Sequence, residues 1–293
     1  MTDFAKPERQ VPGVYHLTVG DVLVTALNDG VLEGSFDWLA GIPSADAEAL
    51  HHARFRPVPP RITVNAFLLH LHGKLVLVDA GCGGSMGSDT GRLAASLAAM
   101  GVVPGSVDAI LSTHLHPDHV GGLLDSAGRA VFPNAELIVH AAEPRFWGDD
   151  AILAKASDQE AQFAELARAS MRAYGNRTRE ITDGEVLRGV TAVPEPGHTP
   201  GHTGWLISSG GDSLLIWGDI VHMPGVQFAR PEAGMGFDVD TAQAIATRAR
   251  IFDMAATDRL RVSGMHLDFP AFGHLTRDGA GYAFVPEVWS PGV

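Results

Sequence analysis

Alternation of apolar and polar residues in the first part of the chain predicts two β-hairpins, because side chains of a half-buried strand change faces at every residue. The paired segments are residues 14–19 with 22–27 and residues 64–71 with 74–78. Residues 31–60, between the hairpins, show only a weak pattern. His51 and His52 stand among polar residues of that segment, so we expect both at the surface.

Helical periodicity marks three later segments, near residues 90–100, 151–174 and 240–256. Gly101 is a predicted stop for the first helix, and Asp240 is a predicted N-cap for the last. The middle helix is predicted to face the core with Ile152, Phe163, Leu166 and Tyr174. Apolar runs predict strands at residues 107–111, 135–140, 186–193, 204–207, 213–217 and 259–263.

The length and charge of the chain limit its partners. With 293 residues and 45% hydrophobic content, the chain can bury a large core. We expect a flexible arm at residues 1–13 and a single domain at residues 14–293. The net charge is −13, from 21 basic and 34 acidic residues, and no basic run occurs. Nucleic acid and anionic membranes are therefore poor partners, and a small molecule is the expected one.

Cysteine content and the N-terminal sequence indicate the compartment. Cys82 is the only cysteine, so no intrachain disulfide can form and an oxidising compartment is not required. Residues 1–10 lack the apolar segment of a signal peptide, and no later apolar run is long enough to cross a bilayer. We expect a soluble, cytoplasmic protein.

A dense group of imidazoles and a carboxylate follows the apolar run 107–111. Its members are His114, His116, Asp118 and His119. Burying so many titratable groups at a strand end without a partner would leave polar atoms unsatisfied, whereas neutral imidazole and carboxylate together suit zinc-like metals. A polar turn that faces water is the simpler alternative. Pro117 and the glycines at 121 and 122 favour a tight turn around a metal instead.

Three more candidate ligands come later in the chain, each just beyond a predicted strand. They are His198, Asp219 and His266. This repetition is what a shared site at the ends of several strands requires. His202, although close to His198, is expected to be a structural histidine and is left out of the metal site.

These motifs, in this order, resemble those of the metallo-β-lactamase-fold hydrolase superfamily over nearly the whole chain. The motifs are His-x-His-x-Asp-His at 114–119, Gly-His-Thr-Pro-Gly-His at 197–202, Gly-Asp at 218–219 and a histidine after a late strand. The resemblance implies an α+β fold, a metallo-β-lactamase-like αββα sandwich in which two mixed β-sheets pack face to face with helices outside.

The resemblance also implies two divalent metal ions. Zinc is the first expectation, with manganese, iron and cobalt left open. One ion would be bound by His114, His116 and His198, the other by Asp118, His119 and His266, with Asp219 as the bridge. Asp79 would orient ligands from behind, in a motif that reads Asp-Ala-Gly here instead of the family's Asp-Thr-Gly.

Within the superfamily, the chain is most similar to the methyl parathion hydrolase-like branch, which includes phosphotriesterases and lactone or aryl-ester hydrolases. The similarity extends to scaffold segments such as Phe132-Pro133-Asn134-Ala135, Val226-Gln227-Phe228 and Gly281-Tyr282-Ala283-Phe284. Other branches fit less well. The main zinc β-lactamases use a cysteine where this chain has Asp219, the iron thiol dioxygenases leave some ligand positions unused, and RNA-processing nucleases need a basic surface.

Two metals near neutral pH can hold a bridging hydroxide, which would attack a carbonyl carbon or a phosphorus atom. The candidate catalytic residues are Asp118, itself a predicted ligand, and His222, three residues after Asp219. Acyl-homoserine lactonases of the superfamily have a tyrosine at that spacing, and phosphotriesterase-type relatives tend to be apolar there. His222 would then act as a general acid on an alkoxide leaving group, or simply line the pocket.

Four aromatic residues are candidates for an apolar substrate pocket, although core packing is the alternative for each of them. They are Trp147, Phe237, Phe269 and Phe272. The sequence thus favours a dinuclear zinc-dependent hydrolase of lactones or aryl esters. A phosphotriesterase of the methyl parathion hydrolase type is the alternative, and a metabolite-binding module without catalysis is a further one. A homodimer is compatible with the family.

Overall fold

The computed structural model describes residues 6–8 and 10–292. The arm expected at residues 1–13 lies partly outside them, and its described residues form no helix or strand. The strands are β1 Val14–Val19, β2 Val22–Glu33, β3 Leu39–Ala40, β4 Arg61–Leu71, β5 Lys74–Val78, β6 Ala109–Leu111, β7 Glu136–His140, β8 Thr178–Ile181, β9 Gly184–Leu187, β10 Val190–Pro194, β11 Thr203–Ser209, β12 Asp212–Ile216, β13 Gly234–Met235, β14 Arg261–Ser263, β15 Gly273–Asp278 and β16 Gly281–Pro286.

The helices surround these strands and are mostly short. They are α1 Ser44–His52, α2 Leu93–Ala99, α3 Pro117–Val120, α4 Ala142–Gly148, α5 Asp150–Leu153, α6 Asp158–Tyr174, α7 Pro224–Gln227 and α8 Thr241–Thr257. None of the helices in the described part of the chain has both the length and the apolar character that a membrane crossing requires.

Two seven-stranded sheets organise the fold, and both are mixed. The first has the order β1-β2-β4-β5-β6-β7-β8; it is antiparallel as far as β5 and parallel from β5 to β8. The second has the order β16-β15-β14-β12-β11-β10-β9, with the β12–β14 pair parallel. The fold is thus the α+β arrangement of two mixed sheets that the sequence predicts.

The main core lies between the two sheets, because apolar side chains of both sheets form one buried cluster. Val24 and Phe67 of the first sheet belong to it together with Trp205 and Leu215 of the second. A second buried cluster joins the outer face of the first sheet to α2, α4 and α6. On the opposite side, Phe252 of α8 packs into the main core and contacts Trp217, with ring centroids 5.8 Å apart.

A third, smaller core supports the segment that precedes β4. The strands β3 and β13 pair into a two-stranded sheet, and Phe36, Leu39 and Met235 pack together there. His51, expected at the surface, is buried within this region. The reason is that α1 turns its ring edge onto Phe36, with ring centroids 5.3 Å apart. His52 is exposed, as expected.

Several predicted elements differ from the structure for local reasons. The strand predicted at 186–193 is two strands, because Gly189 adopts a left-handed conformation with φ of 80° and turns the chain between β9 and β10. The helix predicted at 151–174 is interrupted because Ser157 forms a capping box with Glu160 and starts α6 anew. Ile152 lies before that break and is 39% exposed, so its predicted core position is wrong.

Candidate metal centre

The predicted ligands lie on loops that leave neighbouring strand ends of both sheets. In the first sheet, β6 leads into the loop that carries His114 and into α3. In the second sheet, His198 follows β10, Asp219 follows β12 and His266 follows β14. Pro117 at the first position of α3 fixes a backbone angle that suits a helix start. The structure brings all seven predicted ligands together in two adjoining clusters.

The first is the three-histidine cluster, made of His114, His116 and His198. His116 Nδ1 lies 2.9 Å from His114 Nε2 and 2.9 Å from His198 Nε2. The other ring nitrogens of two members already have partners: His114 Nδ1 is 3.1 Å from Thr113 Oγ1, and His198 Nδ1 is 2.8 Å from Asp238 Oδ1. The remaining nitrogens, His114 Nε2, His116 Nδ1 and His198 Nε2, therefore point toward one another. Burial is the main factor that lowers the pKa of His114 and His116 well below the usual value, which keeps both rings neutral.

The second is the Asp118 cluster, made of Asp118, His119, Asp219 and His266. His266 Nε2 lies 3.4 Å from Asp118 Oδ2 and 3.2 Å from Asp219 Oδ2. Asp219 belongs to both clusters geometrically, because the same Oδ2 lies 3.3 Å from His198 Nε2. This carboxylate oxygen has five histidine ring nitrogens within 3.7 Å of it. A carboxylate in this position could bridge two metal ions, one in each cluster.

The chemistry of these residues fits divalent cations. Among the described residues, His119 Nε2 and Asp219 Oδ1 are buried without a hydrogen-bond partner, which is costly unless another group satisfies them. Burial alone would lower the pKa of His119, yet three carboxylates, Asp219 foremost, raise it well above the usual value. The site therefore attracts positive charge. Imidazole nitrogens and carboxylate oxygens at this spacing are ligands that zinc-like metals bind.

Asp79 supports the Asp118 cluster from behind, at the position that the sequence predicts. Its Oδ2 accepts from His119 Nδ1 at 2.6 Å, while its Oδ1 accepts from the Thr113 backbone N–H at 2.7 Å. His266 is oriented differently, because its Nδ1 donates to the Thr63 carbonyl at 2.8 Å. Asn65 donates to the carbonyls of Met265 and Leu267, which fixes the loop on both sides of His266. These contacts direct the Nε2 atoms of His119 and His266 toward Asp219 Oδ2, which lies 3.2 Å from each, and a metal could bind there.

His202 has a structural position, as expected. Its Nδ1 donates to the Glu195 carbonyl at 2.9 Å, so its Nε2 accepts from the Asp219 backbone N–H, also at 2.9 Å. Burial first of all lowers its pKa to about 3, so the ring is neutral. His202 thus fixes the backbone of Asp219 without offering a free nitrogen to a metal.

Two supporting carboxylates escaped sequence reasoning. Asp238 orients His198, as described above, and lies 40 residues away from it in an irregular segment. In the sequence, Asp238 is not distinguishable from other polar residues that precede a helix. Glu143 accepts from backbone N–H groups of two ligand loops. Since it follows the end of β7 by three residues, the strand-end reasoning applied to the ligands could have found it.

His222 lies at the junction of the two clusters. Its Nε2 is 3.0 Å from Asp219 Oδ2, and its ring stacks on His266 at a centroid distance of 5.1 Å. In the part of the chain that the structure describes, neither ring nitrogen has a well-oriented hydrogen-bond partner, although the side chain is buried. Burial lowers its pKa to about 4, so the ring is neutral at pH 7. With His198 and Asp219 it also forms a third group of ligand type, which the sequence did not suggest.

A cavity of about 970 Å³ opens over the site. Its floor contains His116, Asp118, Asp219, His222 and His266. Its apolar walls come from the β2 end, the segment near Trp38, the loop at Met86, helix α6 and Phe237. Trp38 and Phe237 meet edge to face at 6.2 Å, and each is 38% exposed.

Of the four predicted pocket residues, Phe237 lines this cavity and the other three do not. Trp147 lies behind His116, with ring centroids 5.5 Å apart. It is buried in the second core cluster, and its indole N–H donates to Glu143. Phe269 and Phe272 border a different cavity of about 410 Å³. Phe272 packs into the core between the sheets, where it contacts Phe67.

Two mixed sheets with a His and Asp site at their shared edge define a metal-site protein of α+β class. Residues 59–266 match the family model of the Metallo-beta-lactamase superfamily. This match spans more than half of the chain, so the protein belongs to the Metallo-beta-lactamase superfamily.

Solved structures and curated proteins support the same family. The hydrolase AbOPH of the beta lactamase superfamily is 34% identical, with a TM-score of 0.90 over 96% of this chain and 100% of that one. AidC, a dizinc quorum-quenching lactonase, is 26% identical, with a TM-score of 0.89 over 96% and 99%. The probable metallo-hydrolase Rv2300c of Mycobacterium tuberculosis is 30% identical over 56% of this chain and 61% of its own length. The chain spans less than two thirds of the length of the curated relatives that it matches.

Proposed function

We propose that this protein is a dinuclear metal-dependent hydrolase that opens lactones or cleaves aryl esters. The observation that carries the proposal is the position of His222 on the cavity floor, 3.0 Å from Asp219. Neither of its nitrogens has a well-oriented hydrogen-bond partner within residues 6–8 and 10–292. A buried polar ring in such a state is costly unless a bound molecule satisfies it.

Two divalent metals would be held by the three-histidine cluster and the Asp118 cluster. When bound, they would activate water as a nucleophile and act as Lewis acids toward the scissile group. Zinc is the first candidate, in keeping with the similarity to the dizinc lactonase AidC. Asp118 contributes as a carboxylate of its cluster. Burial alone would raise its pKa, but the neighbouring His119 and His266 lower it, so the ionised form is favoured.

His222 has the clearest role among the remaining side chains. A neutral imidazole carries one N–H and can donate it to an oxygen on which negative charge develops. An alkoxide leaving group, as in a lactone, gains most from this donor because it is strongly basic. A nitrophenolate leaves readily without such help. The proposal therefore favours lactones and esters over aryl phosphotriesters.

The walls of the cavity agree with an uncharged substrate that has an apolar part. Trp38, Met86, Phe163 and Phe237 supply apolar surface above the ligands. The described residues that line the cavity include Glu33, Asp37 and Asp89 but no lysine or arginine. A neutral ester or lactone can enter such a cavity, and a dianionic phosphate ester is disfavoured by charge.

The test compares initial rates of the zinc-loaded protein on an alkyl lactone, an aryl ester and an aryl phosphotriester. The proposal expects the lactone or the ester to be hydrolysed fastest. His222→Leu should then slow lactone opening by about 10²-fold, within the range for a positioned proton donor, and slow the aryl ester much less. His52→Leu, which removes an exposed histidine, is the matched control. Dominant phosphotriester hydrolysis that survives His222→Leu would favour a phosphotriesterase instead.

A further inference from the structure

Glu143 is a buried carboxylate whose partners all donate to it. The side chain has no exposed surface. Its Oε2 accepts from the Leu115 backbone N–H at 3.0 Å and from the Trp147 indole N–H at 2.9 Å. Its Oε1 accepts from the Gly201 backbone N–H at 2.9 Å.

These three donors connect parts of the molecule that are far apart in sequence. Leu115 stands between His114 and His116, on the loop that leaves the first sheet. Gly201 lies on the loop of His198, which leaves the second sheet. Glu143 thus joins the two loops that supply all of the three-histidine cluster.

The approach of the second loop is close enough to require glycine. A Cβ atom at position 201 would lie 2.8 Å from Glu143 Cγ and 2.9 Å from the Glu143 backbone nitrogen. The third hydrogen bond has its own effect on the site. It holds Trp147 edge-on against His116, with ring centroids 5.5 Å apart.

An ionised carboxylate is the side chain that can accept all three hydrogen bonds, because it offers acceptor atoms on both oxygens and no donor. A glutamine of the same shape would direct its NH₂ group toward at least one N–H donor. That substitution breaks a link between the loops and leaves a buried donor unsatisfied, while the volume of the side chain hardly changes.

We propose that Glu143 is a positioning residue for the three-histidine cluster, and that it sets the metal affinity of that cluster by holding its two loops together. The Asp118 cluster has other supports, Asp79 and the Thr63 carbonyl. The effect of Glu143 is therefore selective for one of the two metal positions. This inference rests on the proposed function in one respect, that the three-histidine cluster binds a metal.

The experiment measures zinc affinity at each position by competition with a chromophoric chelator. Two double variants serve as parents. The first, Asp118→Ala/His266→Ala, retains the three-histidine cluster. The second, His114→Ala/His198→Ala, retains His119 and Asp219 with their neighbours. Glu143→Gln is added to each parent. The affinity should fall about 10–100-fold in the first parent, as is typical for loss of a group that orients ligands, and stay the same in the second.

Glu195→Gln is the matched control, because Glu195 is also buried and its carboxyl oxygens have no hydrogen-bond partner among the residues that the structure describes. It should leave both affinities unchanged. Gly201→Ala disturbs the same contact from the other loop, so it should weaken the three-histidine cluster even if Glu143→Gln folds poorly. Equal losses at both positions, or none at either, would overturn the inference alone. A three-histidine parent that binds no zinc would overturn the proposed function as well.

Discussion

His198 donates from Nδ1 to Asp238 Oδ1 across 2.8 Å, and this contact directs its Nε2 into the three-histidine cluster. The Asp238 carboxylate is itself fixed, because its Oδ2 accepts from the Met235 backbone N–H at 2.8 Å. Carboxylates in such positions set the tautomer and the orientation of a ligating imidazole.

Asp238→Asn should therefore weaken metal binding. The amide can present its NH₂ group to His198, and the ring then loses the charged partner that stabilises the Nδ1-protonated tautomer. We expect zinc affinity to fall by about 10–100-fold, with a parallel loss of activity at limiting zinc that excess zinc restores. Asp258→Asn, at an exposed position, is the control. Unchanged zinc affinity in Asp238→Asn would contradict this role.

Gln227 fixes the backbone that carries His222. Its Oε1 accepts from the N–H groups of His222 and Met223, at 2.7 and 3.0 Å, and its Nε2 donates to the Ala233 carbonyl at 3.0 Å. Gln227→Glu keeps both acceptor contacts, whereas Gln227→Leu removes them and leaves buried N–H groups unpaired. We expect Gln227→Leu to lower the free energy of unfolding by roughly 2–4 kcal/mol.

The same pair of variants separates positioning from stability. Among molecules that remain folded, Gln227→Leu should slow lactone opening more than aryl-ester cleavage, because only the former depends strongly on His222. Gln227→Glu should retain most of the lactone rate. Measurements of kcat for both substrates, well below the unfolding temperature, check this. Equal losses on the two substrates would indicate that Gln227 does not act through His222.

Phe237 should contribute to substrate binding rather than to the chemical step. It lines the cavity and contacts His222 edge to face at 5.2 Å. Phe237→Ala removes apolar surface that a substrate would cover, which we expect to raise KM for an apolar lactone by a factor that corresponds to about 1 kcal/mol. Val239→Ala is the control, since Val239 is 46% exposed and does not border the cavity. A change in kcat with constant KM would contradict this prediction.

Glu195 should make the stability of the protein depend on pH. Burial raises the pKa of this carboxyl well above its usual value of 4.5, so the folded protein keeps a proton that the unfolded chain releases. Stability is therefore lost as the pH rises above 4.5 toward the pKa of the folded state. Glu195→Gln removes this loss.

Urea denaturation of both proteins between pH 5 and 8 tests the prediction. The stability of Glu195→Gln relative to the original protein should grow as the pH rises, by at most about 1.4 kcal/mol per pH unit. Because the comparison is a difference between two proteins, other titrating groups cancel. A difference that does not vary with pH would contradict a protonated Glu195.

The sequence predicts the ligand set because each ligand lies next to an apolar strand, and such strands are recognisable from local pattern. His114 after β6 and Asp219 after β12 are examples, and the structure brings them together. Asp238 was missed because it lies in an irregular segment and becomes a neighbour of His198 only after the chain has folded. Glu143 does follow a strand end, where the reasoning applied to the ligands could have found it, but its backbone N–H partners leave no periodic signal in a sequence.

The pocket was predicted less well, since nearness in sequence does not determine which way a side chain points. Phe272 follows His266 by six residues but packs into the core. Trp38, in contrast, is distant from the ligands in sequence and lines the cavity. The weak pattern at 31–60 concealed Trp38 together with α1, because this segment packs on a small separate core.

Zinc titration of the chelator-treated protein, followed by lactone hydrolysis, tests whether two bound metals are needed for turnover. We expect no turnover without metal, and full activity after two equivalents of zinc per chain. A variant that lacks His198 or His266 should bind only one equivalent of zinc per chain. Lactone turnover that persists after complete metal removal, or protein that binds two equivalents of zinc and hydrolyses no lactone or ester, would contradict a dinuclear metal-dependent hydrolase of these substrates.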